Sequence, residues 1–94
     1  MARQFILASY DITDDKRRRK VMKAMEDFGQ RVQYSVFECQ LNPAEFDKLK
    51  KRLKPLFLET QDSIRFYFIG AEDVSRIQVL GTGQVTEDKL FFIQ

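Results

Sequence analysis

The chain has 94 residues, of which 44% are hydrophobic, with one Cys, no His and a formal net charge of +2. This length predicts one small domain, and the missing His excludes imidazole zinc sites and His-based acid–base pairs. Because Cys39 is alone and no apolar run could cross a bilayer, the composition predicts a cytoplasmic protein with no disulfide, signal peptide or membrane partner.

The charge is unevenly spread along the chain. Residues 1–54 carry 13 Lys and Arg against 8 Asp and Glu, whereas residues 55–94 carry 3 against 6. Such an asymmetry is compatible with one basic face that binds a polyanion, although many domains without that function have it as well.

The first two predicted elements are a strand and a helix. "QFILASY", Gln4–Tyr10, is a short apolar run typical of a buried strand. A helix is expected from Asp14 to Phe28, with Gly29 placed as its C-terminal cap. Its apolar positions at helical spacing are Val21, Ala24, Met25 and Phe28.

The centre of the chain favours β structure. We expect a short strand around Arg31–Gln33, a turn or bulge near Tyr34–Ser35, and a longer strand at Val36–Leu41.

A second helix and a further strand follow. "NPAEF" predicts a helix start, with Asn42 as N-cap, Pro43 in the first position and Glu45 completing a capping box, and Pro55 limits the end. The buried stripe of this helix would be Phe46, Leu49, Leu53 and Leu56. "SIRFYFIG", Ser63–Gly70, alternates as a strand does.

The order of these elements, β-α-β-β-α-β, predicts an α+β ferredoxin-like sandwich with an antiparallel sheet in residues 1–80. "RIQVLGTG", residues 76–83, is expected to form a fifth strand. Residues 81–94 form a separate tail that ends in the β-prone "KLFFIQ". This tail could pack on the edge of its own domain or add a strand to a partner's sheet, and both alternatives remain open.

Asp11 follows the first strand directly. Position alone favours a turn or capping role, and a site residue is the alternative. Mg²⁺ prefers an octahedron of oxygens, so one carboxylate makes a poor site. A two-fold dimer axis could supply the second Asp11.

Five consecutive cations, Lys16 to Lys20, open the first helix. At about 100° per residue they surround the helix, and Lys16, Arg19 and Lys20 fall on the solvated side. Arg17 and Arg18 border the buried arc, so we expect them over the sheet edge near the end of the first strand. They could pair with Asp11, Asp14 or Asp15, or bind phosphate through the planar guanidinium, and both alternatives are open.

The central β segment contains three residues whose roles can be considered from the sequence, and for two of them an alternative role stays open. Phe37 is expected in the core, and the alternatives for an exposed ring are stacking on a base or packing at a dimer interface. Arg31 could be a phosphate contact or a rim charge. Cys39 is expected to be a small buried hydrophobe because no activating group accompanies it.

Several of these stretches together resemble a known family. "YDIT" (Tyr10–Thr13), the Arg-rich helix start, "GQRVQYSVFEC" (Gly29–Cys39) and "DSIRFY" (Asp62–Tyr67) are similar to the small CRISPR-associated nuclease-type protein. That family is the dimeric subunit that accompanies the integrase in acquiring new spacers. The resemblance covers most of residues 3–70.

The resemblance implies a homodimer in which the two copies of Asp11 face each other and share one divalent cation, usually Mg²⁺. Asp11 would be the metal ligand and catalytic residue in cleaving phosphodiesters of RNA or DNA. The residues at the family's nucleic-acid-binding places are Tyr10, Arg17, Arg18, Arg19, Arg31 and Phe37, and which of the three consecutive Arg contacts phosphate is left open.

The resemblance therefore implies a metal-dependent endonuclease of CRISPR adaptive defence, acting in spacer acquisition with the integrase. The alternative is a non-catalytic homodimeric scaffold that holds duplex DNA while the integrase does the chemistry. A small-ligand sensor on the same fold is a weaker candidate, because clustered Arg residues argue against it.

Overall fold

The structure is a computed structural model, and it describes residues 2–86. The elements in chain order are β1 (Gln4–Asp11), α1 (Asp15–Glu26), β2 (Gly29–Gln33), β3 (Val36–Leu41), α2 (Pro43–Leu53), a 3₁₀ turn (Lys54–Leu56), β4 (Ser63–Ile69) and α3 (Ala71–Val74). None of the helices in these residues is long and apolar enough to span a membrane.

The four strands form one antiparallel sheet in the order β2-β3-β1-β4. The core joins inward side chains of the strands to Val21, Ala24 and Met25 of α1 and to Leu49 and Leu53 of α2. Both long helices therefore cover the same face of the sheet. This arrangement confirms the predicted ferredoxin-like sandwich.

Alternation along β1 decides which side chains meet the helices. Ile6, Ala8 and Tyr10 belong to the buried core. Because successive side chains of a strand point to opposite faces, Asp11 lies on the face away from the helices. Tyr10 and Asp11 are thus adjacent in sequence and separated by the sheet.

Both long helices begin with side-chain caps. The Asp14 carboxylate accepts a hydrogen bond from the backbone N–H of Arg17 at 2.9 Å. At α2 the side chains of Asn42 and Glu45 each accept from the other's backbone N–H at 2.8 Å. The capping box predicted from "NPAEF" is confirmed, with Pro43 as the first helical residue.

Gly29 was expected to cap α1 but instead begins β2, opposite Cys39. Helix α1 ends at Glu26, earlier than the predicted Phe28. A Cβ on Gly29 would lie 2.5 Å from Cys39 Sγ and 2.6 Å from the carbonyl oxygen of Glu38. Glycine is required here because two strands approach each other closely, and not because the chain turns.

The expected fifth strand at residues 76–83 is wrong. This stretch forms a turn and irregular backbone, with both glycines at positive φ. The backbone N–H of Thr86 then donates to Glu38 Oε1 at 2.8 Å. Since Glu38 alternates with the core residues of β3, the chain has returned over the open face of the sheet. The predicted strand at Lys89–Gln94 lies outside the described residues.

Candidate nucleic-acid interface

Asp11 ends β1 and pairs with Ser63 at the start of β4. Its side chain is exposed and forms no hydrogen bond or ion pair with any residue in the range 2–86. The same residues contain no group of three or more Asp, Glu, His or Cys that could hold a metal ion. Among the described residues, the end of β1 therefore offers the unpaired carboxylate of Asp11, and the shared-ion site with a second Asp11 stays a prediction.

A groove of about 360 Å³ opens on the helix side of the sheet, where β1 ends. Its lining residues are Tyr10, Asp15, Arg18, Arg19, Met22, Arg31 and Tyr34. Four of the residues predicted to bind nucleic acid, Tyr10, Arg18, Arg19 and Arg31, thus meet in one place. Asp11, Arg17 and Phe37 do not line this groove, which we call the basic groove.

Arg31 fixes one wall of the basic groove. Its Nε and Nη2 donate to the backbone oxygen of Tyr34 at 3.0 and 2.8 Å, and its guanidinium lies 5.1 Å from the centroid of the Tyr34 ring. The Tyr10 hydroxyl donates to the same oxygen at 3.5 Å. Burial raises the pKa of Tyr10, with Arg31 opposing the shift, so this phenol is a hydrogen-bond donor at neutral pH.

Arg18 and Arg19 also line the basic groove, and they differ in their contacts. Arg18 donates from Nε to the backbone oxygen of Ile12 at 3.2 Å and forms an ion pair with Asp15. This ion pair, one of the predicted alternatives, raises the pKa of Arg18. Arg19 is exposed and forms no hydrogen bond or ion pair with the described residues. All its donors are available to a ligand.

Arg17 turns away from the groove. Its Nε and Nη2 donate to the Asp62 carboxylate at 2.8 and 3.2 Å, and the Asp62 side chain is fully buried. The same carboxylate accepts from the backbone N–H groups of Thr13 and Leu58 at 3.2 and 2.9 Å. The bonds from Arg17, followed by those from the backbone, hold the pKa of Asp62 far below its usual range.

We call this set, Asp62 with Arg17, Thr13 and Leu58, the Asp62 clamp. It joins the start of α1 to the loop before β4. The predicted partners for Arg17 were Asp11, Asp14 and Asp15, and these are wrong because the acid comes from 45 residues further along the chain.

Phe37 is fully buried and its ring stacks on that of Tyr10, with the centroids 6.3 Å apart. The expected core position is confirmed. Its predicted role as a nucleic-acid contact is corrected, since the ring has no exposed surface on which a base could stack. Cys39 is buried as well, and burial raises the pKa of its thiol to about 12, as expected of an inert apolar residue.

Sequence analysis missed two residues of this region, Asp62 and Tyr34. Asp62 precedes β4 directly, and the register that sets Ser63 against Asp11 places it beside the end of β1. Tyr34 was read only as part of a turn. An aromatic residue in a tight turn between two strands has little access to the core, and this signal could have identified it as exposed.

Comparisons with known proteins agree with this fold. A family model described as CRISPR associated protein Cas2 matches residues 4–77. The CRISPR-associated endoribonuclease Cas2 3 of Synechocystis sp. is 42% identical over 79 residues, which are 84% of this chain and 86% of that protein.

Solved structures superpose on most of this chain. The crystal structure of Streptococcus pyogenes Cas2 at pH 6.5 gives a TM-score of 0.73 at 45% identity, covering 82% of this chain and 99% of that chain. A chain of a structure described as a partial Cas6-RT-Cas1–Cas2 complex gives a TM-score of 0.72 at 26% identity, covering 82% and 90%.

Proposed function

Because the chain belongs to the Cas2 family of CRISPR-associated proteins, we propose that it acts in spacer acquisition as a homodimer that binds the CRISPR integrase and nucleic acid. In this proposal the homodimer is also a Mg²⁺-dependent endonuclease that cleaves phosphodiester bonds of RNA or DNA. The endoribonuclease name of the Synechocystis relative and the Cas1–Cas2 complex of a structural relative support these two roles.

The observation that carries the proposal is the pairing of the basic groove with Asp11 at one end of β1. Arg19 has no partner in the described residues, and Arg31 and Arg18 line the groove beside it. Planar guanidinium groups match the oxygens of a phosphate. A nucleic-acid backbone bound in the groove would therefore run close to the strand end that bears the acid.

The residues present fit a divalent cation in part. Asp11 offers a carboxylate that no described side chain neutralises, and carboxylate oxygens are the ligands that Mg²⁺ prefers. One carboxylate leaves most of the octahedron to water and phosphate. Asp11 of a second copy would supply the next protein ligand, which is why the proposal requires a homodimer.

When bound, Mg²⁺ lowers the pKa of a coordinated water and offsets negative charge on the phosphate. The guanidinium groups of Arg18, Arg19 and Arg31 would hold phosphates of the same nucleic acid on the helix side of this strand end, across the sheet from Asp11. The chain has no His, and the Tyr10 phenol stays protonated near neutral pH. The proton of the attacking water must therefore pass to solvent or to an Asp11 oxygen.

A second candidate function is the non-catalytic scaffold, in which the homodimer holds duplex DNA by its phosphates for the integrase. One observation favours it. Arg18 and Arg31 line a groove on the helix side, whereas Asp11 lies on the other face of the sheet, and no bond joins Asp11 to an arginine in the described residues. A surface that only holds DNA needs no contact between the two.

The test is cleavage of labelled RNA and of duplex DNA by purified protein with Mg²⁺, compared with Asp11→Asn. We expect the substitution to lower the rate at least a hundredfold while binding is retained. Asp47→Asn, which changes an exposed acid on α2, is the matched control and should cleave at the wild-type rate. Cleavage that survives in Asp11→Asn would contradict the endonuclease, and binding without cleavage in the wild type would select the scaffold.

A further inference from the structure

We propose that Tyr34 is a stacking platform for an unpaired base, so that the basic groove prefers single-stranded nucleic acid to a duplex. The inference rests on the proposed function in one respect, namely that the groove binds a nucleic-acid backbone. It adds the class of substrate and names a residue that determines it.

Tyr34 is the most exposed aromatic residue of the part of the chain that the structure describes. Its relative exposure is 68%, compared with 50% for Phe68 and 46% for Tyr67. Burying such a ring is favourable, and a ring left largely in water at the tip of a turn adds nothing to the hydrophobic core. Its position at the mouth of a groove lined by three arginines gives the exposure a use.

The ring is also held in place, which favours binding. The Arg31 guanidinium covers one side of the ring, 5.1 Å from its centroid, and bonds to the Tyr34 carbonyl with two nitrogens. The Tyr10 hydroxyl donates to the same carbonyl. Beside this cation Tyr34 is still 68% exposed, which leaves surface available to a planar partner. A ring that is already ordered loses little conformational entropy when a base stacks on it.

The neighbouring charges select the kind of partner. Surfaces that bind single strands combine cations that follow the phosphates with aromatic rings that stack the bases. Here Arg18 and Arg19 line the same groove as Tyr34, and the Arg18 guanidinium lies close enough to the Tyr34 side chain for this contact to help raise the pKa of the arginine. Bases of an intact duplex are stacked on each other and do not reach a ring beside the backbone, whereas an unpaired base can turn outward. Stacking is shared by RNA and DNA.

The experiment is equilibrium binding of the purified full-length chain, in Ca²⁺ so that cleavage does not interfere, to four labelled probes. The probes are single-stranded RNA, single-stranded DNA, the same DNA strand with abasic sites, and a blunt DNA duplex. Tyr34→Ala, Tyr34→Phe and, as a matched exposed tyrosine outside the groove, Tyr67→Ala are compared with the wild type. The dependence of affinity on salt is measured for each.

We expect Tyr34→Ala to lower the affinity for both single strands about tenfold, by the loss of one base stack, and to leave the duplex within about twofold. Tyr34→Phe and Tyr67→Ala should bind as the wild type does. The abasic strand should bind wild type and Tyr34→Ala equally. The salt dependence should not change, because no phosphate contact is removed.

The inference would be overturned if Tyr34→Ala lost equal affinity for single strands and for the duplex, or lost no affinity at all. It would also be overturned if the wild-type protein bound the abasic strand as tightly as the intact strand. A shift of Tyr34→Ala to a lower solution mass would overturn it too, since Tyr34 would then contact a second copy. If the wild type binds and cleaves but Tyr34→Ala is unaffected, this inference alone fails. If the wild type binds no probe, the proposed function fails with it.

Discussion

Arg17 and Arg19 are two residues apart on α1, and the structure uses them in opposite ways. Arg17 belongs to the Asp62 clamp, where it donates twice to a carboxylate that is fully buried. Arg19 lines the basic groove and has no partner among the described residues. The first arginine fixes the fold, and the second is available to a ligand.

Residue type and position in the sequence therefore do not distinguish a structural arginine from one that binds a ligand. What separates them is whether the chain brings a desolvated acid to the guanidinium. A buried carboxylate without its cation and N–H donors is costly, so Arg17 is held in place by the fold. An exposed arginine can exchange water for phosphate without leaving a buried carboxylate unpaired, so this free-energy cost does not arise.

Removing the buried acid should have the largest effect. Asp62→Ala leaves Arg17 and the N–H groups of Thr13 and Leu58 without their acceptor. We expect the melting temperature to fall by about 10 °C or more, measured by circular dichroism. Asp73→Ala, which breaks the exposed ion pair with Arg76, is the control and should change it by only about 2 °C.

Equal changes of melting temperature in the two variants would show that the Asp62 clamp stabilises the fold no more than a surface ion pair does. If Asp62→Ala stayed stable but lost nucleic-acid binding, Asp62 would serve the basic groove and not the fold.

Changing an arginine of the groove should affect binding and leave stability alone. Arg19→Ala is expected to weaken binding of single-stranded oligonucleotides about three- to tenfold at low salt, and to reduce the slope of log affinity against log salt by about one. Its melting temperature should stay within about 2 °C of the wild type. Fluorescence anisotropy over a salt series gives both quantities.

The matched control is Lys51→Ala, which removes an exposed cation of α2 outside the groove. If Lys51→Ala and Arg19→Ala weaken binding to the same extent, charge alone governs binding and the groove has no special part in it.

The smallest effect is a change of stability with pH. The pKa of Asp62 is lower in the folded chain than in the unfolded one, so its contribution is present above about pH 4 and is lost as pH falls. Urea unfolding should show wild type more stable than Asp62→Asn at pH 7, with the gap narrowing at pH 3. The pKa values of Asp14 and Glu45 are also lowered, but both residues are present in the two proteins. Their contributions therefore cancel in the difference between the two unfolding free energies. A gap that does not depend on pH would show that Asp62 acts through packing and not through its charge.

Local signals in the sequence were enough for most of the fold. The capping box of Asn42 and Glu45, the alternation in β4 and the turn at Tyr34–Ser35 are properties of neighbouring residues, and each was predicted. Gly29 was misplaced because a glycine after a helix has the same local signal whether it caps the helix or admits a neighbouring strand.

The candidate site was predicted in its residues and less well in its geometry. The helical wheel correctly predicted that Arg17 and Arg18 do not point into open solvent. Asp62 comes from a distant part of the chain, and only tertiary packing brings it to Arg17. Likewise the alternation of β1 implies that Tyr10 and Asp11 face opposite ways, and this was not combined with the position of the helices. Base stacking was considered at Phe37, which is buried, whereas the exposed ring is Tyr34.

In the proposed endonuclease Asp11 acts only as a pair, with one carboxylate from each of two copies. The direct measurement is the cleavage rate of a purified heterodimer, isolated with two different tags, in which one chain is wild type and the other is Asp11→Asn. A shared ion needs both carboxylates, so the account predicts that this heterodimer is almost as inactive as the Asp11→Asn homodimer. A heterodimer that retains about half of the wild-type rate would contradict it, because each Asp11 would then act alone.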